Sequence, residues 1–339
     1  MTDSVPVVPT GPWLAVLGMH RSGTSAVTGA LGALGFNLPA LSDQLDPHES
    51  NPDHFESLSI MRVNDALLKV FGGGWDSPPE LPPGFEERKE VREHDLAAIR
   101  ALVRAFPSGG PGALKDPRNC LLLPYWRRIL PGPLPVIFVW RSPLAVARSL
   151  QERNGFSLVH GIALWEHYNV SALAALEGLD CYVTSYESVL DDPRAIFADL
   201  LVWLDDQPMF SGGHWDIEAA QSAITRVYRH HDEDAAGPLL DSQRALLGLL
   251  ASLGGRHRSL IPGELPAPSP WATDVLTTYR DVTARRAADR TIRAMQASAS
   301  WRITRPLRSL SGLARRGPSR HATEHRRSTM RHSGGPIDQ

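Results

Sequence analysis

Residues 13–25 read WLAVLGMHRSGTS, and this stretch decides the fold. Trp13 to Leu17 is an apolar run closed by Gly18, the pattern of a short buried strand. Beyond the turn, TSAVTGALGALG carries apolar residues at helical spacing and closes near Gly35, the pattern of a helix. A Gly/Ser/Thr-rich turn between strand and helix suits an anion. Backbone N–H groups at the helix N-terminus point outward, the helix dipole favours negative charge, and glycine lets a phosphate come close. Thr24 and Ser25 add hydroxyls, and Arg21 adds a planar cation.

Outward from this loop, apolar runs and amphipathic stretches alternate. GALK (112–115), PVIFVW (135–140) and CYVTSY (181–186) read as strands. LSIMRVNDALLKVF (58–71), residues 86–106, NCLLLPYWRRIL (119–130), SPLAVARSLQER (142–153), residues 157–177 and DDPRAIFADLLVWL (191–204) read as helices. Residues 39–56 and 72–84 read as polar or Gly/Pro-rich loops, and 205–240 give no clear pattern. Strands alternating with helices predict an α/β fold, a largely parallel sheet with helices on both faces. The stripe Leu164, Trp165, Tyr168, Leu173 and Leu176 is expected to be helix core.

Composition narrows the class. The chain has 339 residues, 42% hydrophobic, enough for one large domain with appendages. Cys120 and Cys181 form no CxxC pair, which fits a reducing cytoplasm and gives no zinc-finger spacing. The N-terminus lacks a basic stretch followed by an apolar one, so no signal peptide is expected. No run of about 18 apolar residues predicts a membrane span. The net charge of -2 hides an asymmetry: residues 280–339 hold 14 Arg, no Lys and 4 acids, a balance of +10 against -12 for the rest.

The loop departs from the Walker A pattern GxxxxGK[ST]. Gly18, Gly23 and Ser25 keep the spacing, but Thr24 replaces the lysine that reaches the β/γ-phosphates in kinases and ATPases. No apolar strand ends in a Walker B aspartate; PVIFVW runs into Arg141 instead. The loop is therefore expected to take a phosphate-type anion without a metal. Arg141 at a strand's carboxyl end, with Ser149 eight residues on in the next helix, predicts a second phosphate contact.

These two sites, in this order, resemble the sulfotransferase family. HRSGT (20–24) is similar to the family's PKSGT or PRSGT loop, with Arg21 at its Lys/Arg position. Arg141 and Ser149 are similar to its Arg…Ser pair, and SYESVLDDP (185–193) to its YExLxxDP segment. The resemblance covers roughly residues 13–204. It implies a P-loop NTPase-like sulfotransferase fold and 3′-phosphoadenosine-5′-phosphosulfate as co-substrate. His20, Arg21, Ser22, Gly23, Thr24 and Ser25 would hold the 5′-phosphosulfate, Arg141 and Ser149 the 3′-phosphate, and Tyr186 the adenine. GMHRSGTS, NPDHFE and LKDPR look most like bacterial and carbohydrate-type members, which implies a carbohydrate or glycolipid hydroxyl as acceptor. One departure stands out. The family's C-terminal RKGxxG segment has no counterpart, and Arg226 and Arg229 are the nearest basic residues.

Sulfuryl transfer needs charge stabilisation on the leaving phosphate, the role expected of Arg21, and a base for the acceptor hydroxyl. Glu56, Asp116, and His48 or His54 compete for the base, with Lys115 and Arg118 supplying nearby positive charge. His230-His231 has no metal-ligand spacing, and no metal is expected.

The expected organisation is an extension (1–12), the sulfotransferase domain (13–260), a linker and C-terminal helix (261–300), and a basic amphipathic segment with a polar tail (301–339). Trp301, Leu307, Leu310 and Leu313 among arginines suit an anionic membrane surface, so a peripheral place at the inner membrane face is expected, without nucleic acid. Two other readings stay open: an atypical P-loop small-molecule kinase, and an inactive nucleotide-binding scaffold in polysaccharide assembly.

Overall fold

The computed structural model describes residues 6–44, 54–225, 239–261, 265 and 267–297. His48, Arg226, Arg229, His230, His231 and the 301–339 segment lie outside the described residues.

One sheet runs in the order β2-β1-β3-β4-β5, from β1 (Trp13–Leu17), β2 (Gly112–Lys115), β3 (Val136–Trp140), β4 (Cys181–Ser185) and β5 (Gly255–His257). The first four are parallel, with Leu14 opposite Ala113, Ala15 opposite Val136 and Phe138 opposite Val183; β5 runs antiparallel along β4. The helices are α1 (Thr24–Ala33), α2 (Leu58–Val70), α3 (Lys89–Arg92), α4 (Asp95–Ala105), α5 (Asn119–Ile129), α6 (Pro143–Asn154), α7 (Leu158–Leu176), α8 (Tyr186–Asp191), α9 (Pro193–Asp205), α10 (Ile217–Thr225), α11 (Asp241–Ser252) and α12 (Pro270–Ala297).

The parallel strands are apolar at almost every position because both faces of the sheet are covered. Side chains alternate between the faces. Trp13, Ala15, Leu17, Val136 and Phe138 join a core that includes α2, α4, α5 and α7. Leu14, Val16, Ile137 and Val139 join a second core with α1, α9 and α10. Leu164, Trp165, Tyr168, Leu173 and Leu176 are fully buried, as the stripe predicted.

Side-chain caps set several helix starts. Ser57 accepts from the N–H of Ile60, Ser157 from that of His160, Ser185 from that of Ser188 and Asp192 from that of Ala195. The Ser185 cap ends β4 one residue before Tyr186, which opens α8 instead of closing the strand. Residues 205–240 and beyond held two helices and a strand that patterning did not show: α10, α11 and β5.

The chain divides into two compact units, Met1–Val282 and Thr283–Gln339. The first holds the sheet and its cores, including Ala272 and Leu276 of α12. In the second, residues 283–297 are helical and largely exposed. Among the described residues no helix is long and apolar enough to cross a membrane.

Candidate active site

The carboxyl ends of the four parallel strands lie side by side, and each delivers a polar group. In sheet order these are Lys115 and Asp116 after β2, the Gly18–Gly23 loop after β1, Arg141 after β3 and Tyr186 after β4. From β1 the chain goes to β2 on one side, then crosses back to β3 on the other. That makes the edge above β1 and β3 the topological switch point where open α/β sheets bind ligands.

The loop is built around close approaches. A Cβ on Gly18 would collide with the Val139 carbonyl, and one on Gly23 (φ +85°) with the Tyr186 ring. Gly23 caps the ten-residue helix α1 without a side-chain hydrogen bond, since glycine has no side chain to offer. Arg21 is left-handed at φ 70°, a conformation uncommon outside glycine and concentrated at functional sites. The Arg21 Nε donates to Ser149 Oγ at 2.7 Å. Arg141 donates from Nη1 to the Arg21 carbonyl at 3.3 Å, and its guanidinium lies 5.0 Å from the Tyr186 ring centre. Trp165 Nε1 donates to the Arg141 carbonyl at 2.9 Å, which anchors the end of β3. Burial lowers the Arg21 pKa to about 10, with help from Arg153 and Arg141. The guanidinium stays charged at neutral pH, but it stands among like charges, which an anion would relieve.

On the β2 side two acid–base pairs lie close together. Lys115, 3% exposed, donates from Nζ to Glu56 Oε1 (2.6 Å), to the His54 carbonyl (2.8 Å) and to Ser25 Oγ (3.1 Å). One ammonium thus ties the first turn of α1 to the segment that carries Glu56. Asp43 fixes that segment from below, accepting from Ser59 Oγ at 2.6 Å and from Ser57 Oγ. Asp116 is completely buried and accepts from Arg118 three times: from the backbone N–H at 2.8 Å and from Nη1 at 3.1 and 3.3 Å. Arg118 also pairs with Asp65 at 2.7 Å. Burial holds the Asp116 carboxyl above its ordinary range, against the pull of Arg118.

His20 turns to a neighbouring aromatic group, 4.6 Å from the Trp75 ring and 5.7 Å from that of Tyr168. Burial, then the charges of Arg118, Lys115, Arg153 and Arg21, push its pKa well down, so the imidazole is neutral. Its Nε2 is buried without a partner, as is the Ser22 hydroxyl. Among the described residues no group of three His, Cys, Asp or Glu side chains is placed to hold a metal ion.

Of the residues singled out in the sequence, Arg21, Ser149, Arg141, Gly23 and Tyr186 come together directly, and Ser25 and Glu56 join through Lys115. Asp116 belongs to the adjacent Arg118 pair. Sequence reasoning did not find the central position of Lys115, which reaches Ser25, 90 positions away, and Glu56, 59 positions away. It also missed Glu187, whose Oε1 accepts the N–H of Ser142 and so fixes the start of α6 beside Arg141. The YES sequence next to Tyr186 was the available signal.

Fold and site define a mostly parallel α/β protein with a glycine- and hydroxyl-rich loop at its switch point. Among solved structures, the chain is similar to the sulfotransferase domain from the curacin biosynthetic pathway. That match has 12% identity and a TM-score of 0.37, and covers 72% of this chain and 98% of that one. The chain is also similar to the sulfotransferase domain from the Synechococcus PCC 7002 olefin synthase, at 15% identity and a TM-score of 0.33, covering 81% and 97%. No protein-family model and no curated protein matches the sequence.

Proposed function

We propose that this chain is a sulfotransferase that moves the sulfuryl group of 3′-phosphoadenosine-5′-phosphosulfate onto a hydroxyl of a carbohydrate or glycolipid. One observation supports the reading: the 2.7 Å bond from Arg21 to Ser149, beside Arg141 and Tyr186, brings together residues expected for two phosphate contacts. A nucleotide with phosphates at both 5′ and 3′ positions suits such a pair. The arginines, the glycine-capped start of α1 and the flat Tyr186 ring match its phosphates and its base.

In this reading Arg21 and the first N–H groups of α1 hold the 5′-phosphate, and Arg141 and Ser149 the 3′-phosphate. The acceptor oxygen attacks sulfur in line, and the bond from sulfur to the bridging oxygen breaks. The electron pair leaves on that oxygen, next to Arg21. The acceptor's proton passes to Glu56. Lys115 occupies only the Oε1 of Glu56, and Oε2 makes no hydrogen bond among the described residues. Asp116 has both oxygens engaged by Arg118, which favours Glu56 as the base.

The test is incubation of the full chain with ³⁵S-labelled donor and host extract, followed by identification of the labelled product. A labelled saccharide or glycolipid is the expected result; label on protein alone, or none, would count against this acceptor class. The 301–316 segment is proposed to hold the enzyme at an anionic lipid surface, so the full chain should bind anionic vesicles in a salt-sensitive way.

A further inference from the structure

The cations around the phosphate loop fall into two groups. Lys115 and Arg118 have their own carboxylates, Glu56 for the first and Asp116 and Asp65 for the second. The contacts of Arg21 and Arg141 include a serine hydroxyl, a backbone carbonyl and an aromatic ring. A further arginine, Arg153, belongs to α6. It sits in the last turn of α6, four residues after Ser149, and so on the same helix face. Ser149 is buried and bonded to Arg21, whereas Arg153 is exposed and makes no hydrogen bond or ion pair with the described residues.

Arg153 is nevertheless electrically part of the loop. After burial, it is the strongest influence holding the Arg21 pKa down, ahead of Arg141, and it also lowers that of His20. Glu152 pulls the other way on Arg21 and is the weakest of the named influences. A guanidinium one turn beyond Ser149, felt by Arg21 and lacking its own carboxylate, is suited to close over an anion from the solvent side.

We propose that Arg153 is a third anion-binding residue of this site, taking a phosphate or sulfuryl oxygen of the donor nucleotide that Arg21 and Arg141 hold from within. The inference rests on the donor assignment above.

Calorimetric titration of the full chain with 3′-phosphoadenosine-5′-phosphate and with adenosine-5′-phosphosulfate tests it. If the wild-type chain binds neither ligand, the donor assignment itself fails, and Arg153 has no donor to bind. If it binds, Arg153→Gln should weaken the bisphosphate about tenfold, which is ~1.4 kcal/mol. Arg153→Lys should restore part of that loss, and the ligand-free melting temperature should not move, because the side chain has no partner to lose. A loss shared by both ligands places Arg153 on the 5′ side; a loss confined to the bisphosphate places it on the 3′-phosphate. Wild-type affinity of Arg153→Gln for both ligands would overturn the proposal.

Discussion

Two buried acid–base pairs stand next to each other at the β2 end of the sheet, Lys115–Glu56 and Arg118–Asp116. Both combine a cation and a carboxylate within 3.1 Å, and both are nearly closed to solvent. They differ in what the carboxylate has left to give. Asp116 is wholly inside, and its two oxygens receive three hydrogen bonds from one arginine. Glu56 is 7% exposed and gives one oxygen to Lys115. A carboxylate with both oxygens engaged locks a turn; one with an oxygen to spare can take a proton. In this account Asp116 holds the strand end in place, while Glu56 acts on the acceptor.

The largest expected effect separates the two acids. Glu56→Gln keeps the size and removes the basicity, so turnover should fall about 10²–10⁴-fold while affinity for 3′-phosphoadenosine-5′-phosphate is nearly kept. Steady-state rates and a binding titration read this directly. Near-normal turnover would erase the distinction between the pairs.

Asp116→Asn should do the reverse. Removing one partner of a buried ion pair leaves an imperfectly compensated charge, here softened because Arg118 keeps Asp65. A stability loss of about 3 kcal/mol in denaturant melts is expected. Turnover per folded molecule should stay within about tenfold of wild type. If stability holds and turnover collapses, the roles of Glu56 and Asp116 must be exchanged.

On the opposite side of the loop, Arg141→Ala should weaken 3′-phosphoadenosine-5′-phosphate by about 1.5–3 kcal/mol, the scale of a charged hydrogen bond. Adenosine-5′-phosphosulfate, without a 3′-phosphate, should be barely affected. Equal losses would make Arg141 a structural residue, like Arg118.

A smaller effect concerns pH. Burial, with some help from Arg280, pushes the His167 pKa down to about 4, and His20 is also lowered. Between about pH 6.5 and 4 the unfolded chain binds a proton at such a histidine that the folded chain refuses. Stability should therefore fall as pH drops through that window, by at most about 1.4 kcal/mol per pH unit for each group. His167→Gln should flatten the slope, as followed by urea melts at several pH values. An unchanged slope would show that His167 is not held neutral.

The legibility of this molecule follows the range of its interactions. β1, α1 and β3 were readable because local pattern and burial agree: the strands are apolar on both faces, and Gly23 and Pro143 punctuate the helix starts. Motif order assigned Ser149 to Arg141 and Arg21 to the loop; the direct bond from Arg21 to Ser149, 128 residues away, was not legible in the sequence. The Lys115 hub was hidden, because a lysine closing a strand reads as a solvated end until Glu56 and the His54 carbonyl are brought to it. β5 was hidden too. Its three residues, Gly-Arg-His, carry no apolar alternation and pair with β4 only at the sheet's antiparallel edge.

The central claim is that the joined Arg21–Ser149–Arg141 site takes a nucleotide with a 3′-phosphate, not a triphosphate with magnesium. Thermal stabilisation of the full chain by 3′-phosphoadenosine-5′-phosphate, compared with ATP–Mg²⁺ at equal concentration, tests it most directly. The account predicts a clear rise in Tm with the bisphosphate and little or none with ATP–Mg²⁺, since ligand bound only to the folded state raises stability with its affinity. Selective stabilisation by ATP–Mg²⁺ would contradict it and point to a phosphotransferase.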